Sequence, residues 1–279
     1  MTHLELDDLL KHALLEDIGM GDITTENCVP AGVRSKGNFV AKEAGVICGL
    51  EVLARTFALL DPNVRVTPRV TDGAHVECGD VIAEIEGSSR SVLTGERVAL
   101  NLLQRLSGIA TKTAAAVAEI ADTNTKICDT RKTTPGLRAL EKYAVKTGGG
   151  SNHRFGLFDG VMIKDNHIVA AGGIAAAVER ARANVPHTLK IEVETASLVQ
   201  VEEAIKAGAD IIMLDNMDCA GMKQAVQLIA GRAVTEASGN MGDRSLREVA
   251  ETGVDFISIG ALTHTVRALD ISLRFIKES

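Results

Sequence analysis

In the second half of the chain, short apolar runs end repeatedly in charged or hydrogen-bonding residues. Six such tips follow one another, at 129–132, 164–166, 194, 215–216, 236–239 and 260. In an α/β barrel the carboxyl ends of the strands meet at one mouth, where the chemistry takes place. A single polar tip is unremarkable because every strand ends in a loop. Tips that together hold cations, carboxylates and a Ser-Gly pair predict one shared pocket.

The stretch 129–167 is the most cationic part of the chain. It contains seven Lys and Arg residues against four Asp and Glu, whereas the whole chain has a formal charge of −7. This local reversal of sign predicts a site for an anionic ligand, because Arg and Lys both bind phosphate and Arg binds carboxylates bidentately. The cations at strand ends or in a Gly-rich loop are Arg131, Lys132, Arg154 and Lys164. The cations spaced four residues apart, which could instead form a solvated helix face, are Arg138, Lys142 and Lys146.

Two further pairs of tips suggest how a phosphorylated ligand is held. Ser238-Gly239 and Gly260 follow the last two strands, where backbone N–H groups form the usual phosphate site of a barrel. Glu194 and Asp215 end neighbouring strands, and two carboxylates facing a polyphosphate suit Mg²⁺ or sugar hydroxyls. They would also stabilise developing positive charge.

His153 lies next to Arg154 and could donate a hydrogen bond to an anionic substrate, although a structural role is equally consistent with the sequence. The chain contains neither H-E-x-x-H nor G-x-S-x-G. Zinc-dependent hydrolysis and α/β-hydrolase chemistry are therefore disfavoured.

The tips require a repeated strand–helix scaffold. Strands are predicted at 125–132, 159–166, 189–194, 210–216, 233–239 and 255–261, with a less obvious one near 145–150, and helical segments of roughly ten to fifteen residues lie between them. This rhythm predicts an α/β barrel of about seven or eight strands. A doubly wound open sheet is the alternative, but the first strand is not followed by G-x-G-x-x-G.

The first half of the chain has a different character. Residues 4–17 show helical periodicity, and 33–86 hold short β-prone runs separated by Gly and Pro turns. The segment DGAHVECGDVIAEIEG resembles a small open sandwich of the biotinyl-carrier kind, but it lacks the lysine that a carrier modifies. A helical tract at 91–120 is predicted to be interrupted near Ser107-Gly108.

Composition excludes several classes of protein. The chain has 279 residues, of which 46% are hydrophobic and only 3% aromatic, so the core must consist of aliphatic side chains and stacking platforms for single-stranded nucleic acid are scarce. The net negative charge argues against DNA or RNA as a partner. Five scattered cysteines, an acidic N-terminus and the lack of a long apolar stretch predict a cytoplasmic protein without disulfides or membrane spans.

Several long motifs resemble those of the quinolinate phosphoribosyltransferase family. They are TRKTTPGLRALEKYAV (130–145), GGGSNHRFGLFDGVMIKDNHI (148–168), KIEVE (190–194), IIMLDN (211–216), EASGN (236–240) and GALTH (260–264). EDIGMGDITT (16–25) and GERVALNLLQRLSGIAT (95–111) extend the resemblance upstream. The motifs occur in order over essentially the whole chain.

The resemblance implies a fold and a reaction. The fold is an incomplete α/β barrel of about seven strands (109–264) beside a smaller α+β open-sandwich domain (1–108), to which the tail 265–279 returns. The reaction joins quinolinate to phosphoribosyl pyrophosphate with Mg²⁺, giving nicotinate mononucleotide, pyrophosphate and CO₂ in NAD biosynthesis. The family also implies a homodimer whose active sites take residues from both subunits.

The resemblance also implies roles for individual residues. Arg131, His153 and Arg154 would bind the two quinolinate carboxylates, and Lys132 and Lys164 the phosphates. Glu194 and Asp215 would face the ribose and Mg²⁺. The residues that would cradle phosphate are Ser238, Gly239 and Gly260. Arg97 would reach into the partner subunit's site, with Arg105 as a rival. The catalytic residues are then Lys132, Lys164, Glu194 and Asp215.

Other functions remain open at this stage. A related phosphoribosyltransferase of the molybdenum-locus type would use a different acceptor, and nicotinate phosphoribosyltransferase needs to bind only one carboxylate. A non-catalytic module that senses a phosphorylated metabolite is the rival outside enzymology. The segment 133–150, rich in Gly, Thr and Lys, is a candidate for a mobile lid.

Overall fold

The structure, a computed structural model, describes residues 3–276, which divide into two compact units. The first contains the described residues of 1–114, 139–148 and 266–279, and the second contains 115–138 and 149–265. In the described part of the chain, none of the helices combines the length and the apolar character that crossing a bilayer requires.

The elements follow in chain order. The helices are α1 His3–Ile18, α2 Ile23–Cys28, α3 Leu50–Leu60, α4 Ser89–Glu119, α5 Arg138–Thr147, α6 Asp165–Ala171, α7 Ile174–Asn184, α8 Leu198–Ala207, α9 Cys219–Ile229, α10 Leu246–Ala250 and α11 Ala261–His264. The strands are β1 Arg34–Ala41, β2 Gly45–Val46, β3 Arg65–Pro68, β4 His75–Val76, β5 Val81–Ser88, β6 Lys126–Cys128, β7 Val161–Ile163, β8 Ile191–Thr195, β9 Ile211–Asp215, β10 Val234–Ser238, β11 Phe256–Ser258 and β12 Ile271–Phe275.

The first unit is built on a four-stranded antiparallel sheet in the order β12-β1-β5-β3. Alternate residues of β1 and β5 are buried, as expected for a sheet with one face on the core. Phe39 and Phe57 meet in that core with ring centroids 6.2 Å apart, surrounded by aliphatic side chains. The last strand of the chain, β12, pairs with β1 and so belongs to this unit.

The predicted interruption at Ser107-Gly108 is wrong, because α4 runs through these residues without a break. A Cβ on Gly108 would lie 2.3 Å from the carbonyl oxygen of Arg267. Glycine is therefore required by the close approach of the chain at 267–268, and the helix tolerates it.

The segment 133–150 is not a free loop. Its residues 138–147 form α5, and five of its side chains, from Leu140 to Val145, are buried. Residues 145–147 are therefore helical, so the predicted strand is wrong there, and 138–147 are not a loop. Closure of residues 133–137 over ligands stays a prediction. Lys142 is fully buried, so it does not belong to a solvated face, whereas Lys146 is exposed. Arg105 donates two hydrogen bonds, of 2.8 and 2.6 Å, to the fully buried Glu141 of this helix.

The second unit contains a parallel six-stranded sheet in the order β6-β11-β10-β9-β8-β7. All six clearly predicted strands are present, and helices alternate with them as expected for an α/β barrel. A seventh strand position is supplied by Ser151, which forms a parallel bridge with Cys128. Within residues 3–276 no pairing joins this segment to β7, so the barrel is incomplete there. The predicted fold class is confirmed.

Candidate active site

The strand register places the polar tips on one face of the barrel sheet. Glu194 lies opposite Met213, and Met213 lies opposite Glu236. Asp215 comes two residues after Met213 and lies opposite Ser238. Because paired residues of parallel strands and residues two apart point to the same side, these side chains share the inner face. The sequence prediction of a shared polar face at these strand ends is therefore consistent with the register.

Lys164 and Glu194 form the tightest ion pair at these strand ends. The Lys164 Nζ lies 2.5 Å from the Glu194 Oε2, and their side chains are 45% and 17% exposed. Lys164 immediately follows β7, and its backbone N–H donates to the Nδ1 of His167, which fixes the start of α6. The pair places a cation beside a carboxylate at the carboxyl ends of the strands, where the lysine could bind a phosphate and the carboxylate a sugar hydroxyl of the same ligand.

The loop after β6 carries Arg131 and Lys132. The Nε of Arg131 is buried and has no hydrogen-bond partner in the described structure, and such a donor calls for a ligand or water. The carbonyl oxygen of Lys132 accepts a hydrogen bond of 2.8 Å from Thr263, which ties this loop to α11. A Cβ on Gly260 would lie 2.8 Å from the Lys132 side chain, so that side chain passes directly over the tip of the last strand.

Two polar side chains hold the loop after β6 against the segment 152–155. Asp129, which is fully buried, accepts hydrogen bonds from the Asn152 side chain at 2.6 Å and from the His153 N–H at 2.9 Å. Arg138 donates to the Thr133 hydroxyl and to the carbonyl oxygens of Phe155 and Arg131. Neither Asp129 nor Arg138 is among the predicted site residues; their position within the most cationic stretch, 129–167, was the available signal.

His153 points into the barrel interior. Its Nε2 lies 2.9 Å from the Glu192 Oε2 and 3.5 Å from the Glu236 Oε2. Its Nδ1 accepts a hydrogen bond of 2.8 Å from the Arg154 N–H, so the proton of the neutral ring is on Nε2, facing the carboxylates. Both ring nitrogens thus have partners within the chain. Its expected contact with a substrate carboxylate stays a prediction.

Glu192 and Glu236 are 3% and 4% exposed, and one oxygen of each has no hydrogen-bond partner. Burial, followed by the charge of Glu192, raises the pKa of Glu236 to about 7. Among the described residues these two carboxylates and His153 are the trio close enough to share a metal ion. The trio does not fit one, because a ring ligating through Nε2 would carry its proton on Nδ1, where it meets the Arg154 N–H.

Arg154 directly follows His153 in the segment 152–155. It donates from Nη1 to the carbonyl oxygen of Gly160 at 2.9 Å. Burial, and next the positive charge of Arg131, lower the pKa of Arg154. The positive charge of Arg131 thus opposes that of Arg154, which favours a bound anion near them.

Backbone conformation shapes the tips of β9 and β10. Asn216 and Asn240 adopt left-handed backbone conformations, and Gly239 has a φ of 95°. A Cβ on Gly239 would lie 2.3 Å from the Oδ1 of Asn216, so only glycine fits. The binding of phosphate by Ser238, Gly239 and Gly260 stays a prediction.

A cavity of about 310 Å³ lies inside the barrel toward the amino ends of the strands. Val161, Ile211, Val234 and Phe256, which begin β7, β9, β10 and β11 respectively, line it together with the Glu192–Glu236 pair. Of the expected site residues, only His153 and Arg154 line it. The other expected site residues do not line this cavity.

Glu194 and Asp215 suit Mg²⁺ by the chemistry of their donor atoms. Both are carboxylates on the inner face of adjacent strands. Mg²⁺ prefers oxygen ligands and keeps several waters, so one or two carboxylates with substrate phosphates are sufficient. Glu194 is already paired with Lys164, and Asp215 accepts a hydrogen bond of 2.7 Å from the Asn216 side chain.

Two protein-family models match this chain, one for each of its domains. Residues 22–107 match the family model of the quinolinate phosphoribosyl transferase N-terminal domain, and residues 109–274 match that of the C-terminal domain. The chain belongs to the quinolinate phosphoribosyltransferase family. The resemblance read from its motifs is thereby confirmed.

Individual relatives are similar over nearly their full length. A probable nicotinate-nucleotide pyrophosphorylase [carboxylating] of Bacillus subtilis is 50% identical over 98% of this chain and 94% of that protein. The mitochondrial quinolinate phosphoribosyltransferase [decarboxylating] 2b of Nicotiana tabacum is 43% identical over 97% and 82%. The solved structure of a nicotinate-nucleotide pyrophosphorylase from Francisella tularensis superposes with a TM-score of 0.95 at 40% identity, covering 99% of this chain and 98% of that one.

The expected site residues fall in both units of this phosphoribosyltransferase. All of them except Arg97 lie in the second unit. Arg97 is exposed on α4 of the first unit, and its proposed role at a partner's site stays a prediction. Arg105, its rival, is engaged with the buried Glu141.

Proposed function

We propose that this enzyme transfers the phosphoribosyl group of phosphoribosyl pyrophosphate to quinolinate and releases CO₂, giving nicotinate mononucleotide and pyrophosphate. Membership of the family and the names of its full-length relatives support the reaction. The observation in the structure that supports it is that hydrogen bonds of Asp129 and Arg138 join the two segments that carry Arg131 and Arg154, and that the buried Nε of Arg131 has no partner. Two cations on joined segments suit an acceptor with two carboxylates.

We assign the remaining residues by chemistry. Lys132 and Lys164 lie at strand ends and would neutralise the phosphates and the leaving pyrophosphate. Glu194 and Asp215 would stabilise positive charge on the ribose as the C1′–oxygen bond breaks. The backbone at Ser238-Gly239 and the tip at Gly260 would hold the phosphate.

The steps follow from this arrangement. The ring nitrogen of quinolinate forms a bond to C1′ while pyrophosphate leaves with the electron pair of the breaking C1′–oxygen bond. The ring nitrogen becomes cationic, and this charge stabilises the electron pair that remains on the neighbouring carbon when CO₂ departs. A proton then completes that carbon. The contribution of the protein is positioning and charge, with no nucleophilic side chain needed.

We propose Mg²⁺ as the metal, held by Glu194 and Asp215 directly or through water. It would neutralise charge on the pyrophosphate. Activity should vanish with a chelator and return with Mg²⁺, and Asp215→Asn should raise the Mg²⁺ concentration needed for half-maximal rate. An Mg²⁺ requirement unaltered in both Asp215→Asn and Glu194→Gln would exclude these ligands.

We also infer a homodimer in which Arg97 completes the partner's site. Its exposure on α4 is consistent with such a role. Mixing inactive Arg97→Ala with inactive Lys164→Ala should restore about a quarter of wild-type activity through hybrid dimers, each with one intact site. No recovery after subunit exchange would place Arg97 in its own subunit's site.

The five described cysteines are all free, which suits a reducing compartment. A cytoplasmic location remains a proposal, to be tested by cell fractionation.

The reaction is tested with purified protein, phosphoribosyl pyrophosphate, Mg²⁺ and either quinolinate or nicotinate. The expected result is nicotinate mononucleotide and CO₂ from quinolinate alone. Product from nicotinate but not from quinolinate would eliminate the dicarboxylate pocket while keeping the transfer chemistry. No product from either acceptor would favour a different acceptor or a binding role.

A further inference from the structure

We propose that Arg138 is a positioning residue of the acceptor pocket: its guanidinium holds together the two chain segments that carry Arg131 and Arg154, and so sets the spacing of the groups that bind the two carboxylates. This inference rests on the proposed function. Arg138 binds the Thr133 hydroxyl and two backbone carbonyl oxygens of these segments, so it would act through them.

Three hydrogen bonds carry the inference. The Nε of Arg138 donates to the Thr133 hydroxyl at 2.9 Å, Nη1 donates to the carbonyl oxygen of Phe155 at 3.1 Å, and Nη2 donates to that of Arg131 at 3.4 Å. The acceptors therefore belong to both cationic segments, one at Arg131 itself and one directly after Arg154. The guanidinium closes a bridge between loops that otherwise meet through Asp129.

The geometry requires an arginine. Three acceptors lie around one planar group, and each is reached by a different nitrogen of the fork. A lysine has a single nitrogen at the end of its chain and cannot reach three acceptors spread around the edge of such a planar group. These three acceptors are neutral and do not cancel the positive charge of Arg138, which adds to the field that attracts a dianion.

The phosphate side of the site is anchored independently. The Lys132 carbonyl is held by Thr263, and Lys164 is paired with Glu194. Neither contact involves Arg138. Loss of Arg138 should therefore loosen the spacing of Arg131 and Arg154 while the phosphate-binding tips keep their places.

The test compares Arg138→Ala, Arg138→Lys and Thr133→Val with a matched control, Arg180→Ala. Arg180 is also a helix arginine that donates to a backbone carbonyl, that of Ala171, but its side chain is exposed on α7. Thr133→Val removes one hydrogen-bond acceptor of Arg138 and keeps Arg138 itself, so it remains informative if Arg138→Ala fails to fold. Thermal unfolding and circular dichroism report on folding.

Arg138→Ala should raise the KM for quinolinate roughly ten- to hundredfold, the range for losing charge-assisted hydrogen bonds, and change the KM for phosphoribosyl pyrophosphate by less than about threefold. Thr133→Val should shift the quinolinate KM in the same direction by a smaller factor, and Arg180→Ala should not shift it. Added guanidinium ion should partly restore Arg138→Ala, whereas Arg138→Lys should remain impaired.

Binding of benzene-1,2-dicarboxylate, which presents two carboxylates but no ring nitrogen, gives a readout independent of turnover. Its affinity should fall in parallel with the quinolinate KM. The inference is overturned if the wild-type enzyme turns over quinolinate while folded Arg138→Ala and Thr133→Val bind both ligands normally, or if both substrates lose affinity equally. If the wild-type enzyme does not use quinolinate, the proposed function fails, and loss of benzene-1,2-dicarboxylate binding in Arg138→Ala still tests the pocket.

Discussion

Replacing Lys164 with alanine should separate catalysis from stability. Lys164 and Glu194 make a short ion pair, but the lysine side chain is 45% exposed, so solvent screens the interaction. Partly exposed pairs contribute about 0–1 kcal/mol to folding, and Lys164→Ala should lower stability by no more than about 1 kcal/mol. A preorganised charge that faces a leaving group contributes far more to the reaction, roughly 3–4 kcal/mol, which is a loss of about 10²- to 10³-fold in rate.

The assay measures the first-turnover release of pyrophosphate and the thermal midpoint for wild type, Lys164→Ala and Lys206→Ala. Lys206 is a suitable control because it also pairs with a glutamate, Glu202 at 3.5 Å, and lies in the same unit, on α8 with its side chain 77% exposed. Lys206→Ala should leave the rate unchanged. A rate within about threefold of wild type for folded Lys164→Ala would refute the electrostatic role assigned here.

Three other perturbations test different parts of the structure. Burial raises the pKa of Glu236 from 4.5 to about 7, so the folded state keeps a proton that the unfolded state releases, and the free energy of unfolding should fall as the pH rises from about 4.5 to 7. Glu236→Gln should remove up to about 3 kcal/mol of this pH dependence, and a thermal midpoint that shifts equally between pH 5 and 8 in the wild type and in Glu236→Gln would contradict it. Gly239→Ala should lower the free energy of unfolding by about 1–2 kcal/mol through backbone strain and by more through the clash with Asn216, and should raise the KM for phosphoribosyl pyrophosphate. Gly172→Ala has a similar φ of 87° but open space around it, so it should show the strain alone. Gly108→Ala should destabilise the first unit by about 1–3 kcal/mol despite the better helix propensity of alanine, and a gain in the thermal midpoint would show that the chain at 267–268 yields easily.

Local patterns in the sequence were sufficient for most elements of the barrel. Each of the six predicted strands is an apolar run between helical segments, and its period and length leave few alternatives. The strand predicted near 145–150 is wrong over 145–147 because Ala144 and Val145 are apolar residues of a helix, α5, in which they are buried. A short apolar run does not distinguish a strand from a buried helix turn.

The glycine at 108 shows a second limit. Gly in a helical pattern usually signals a break, and the sequence offers no contrary evidence. Here the reason for glycine is the backbone of residues 267–268, which is more than 150 positions away along the chain. Arg138 is a parallel case, since four-residue spacing on a helix suggests a solvated face until the acceptors at Thr133 and Phe155 are seen.

Residue types and their spacing were sufficient to predict the type of fold, the order of the strands' polar tips and, through long motifs, the family. These depend on residue type and spacing, which are local properties. Three-dimensional coordinates were needed to show that hydrogen bonds join the segments of Arg131 and Arg154, that His153 turns both ring nitrogens toward its own chain, and that Glu192 and Glu236 are buried together. Such facts depend on which residues from distant strands meet inside the barrel, and on the loss of solvent there, which gives each charge its partner and each pKa its shift.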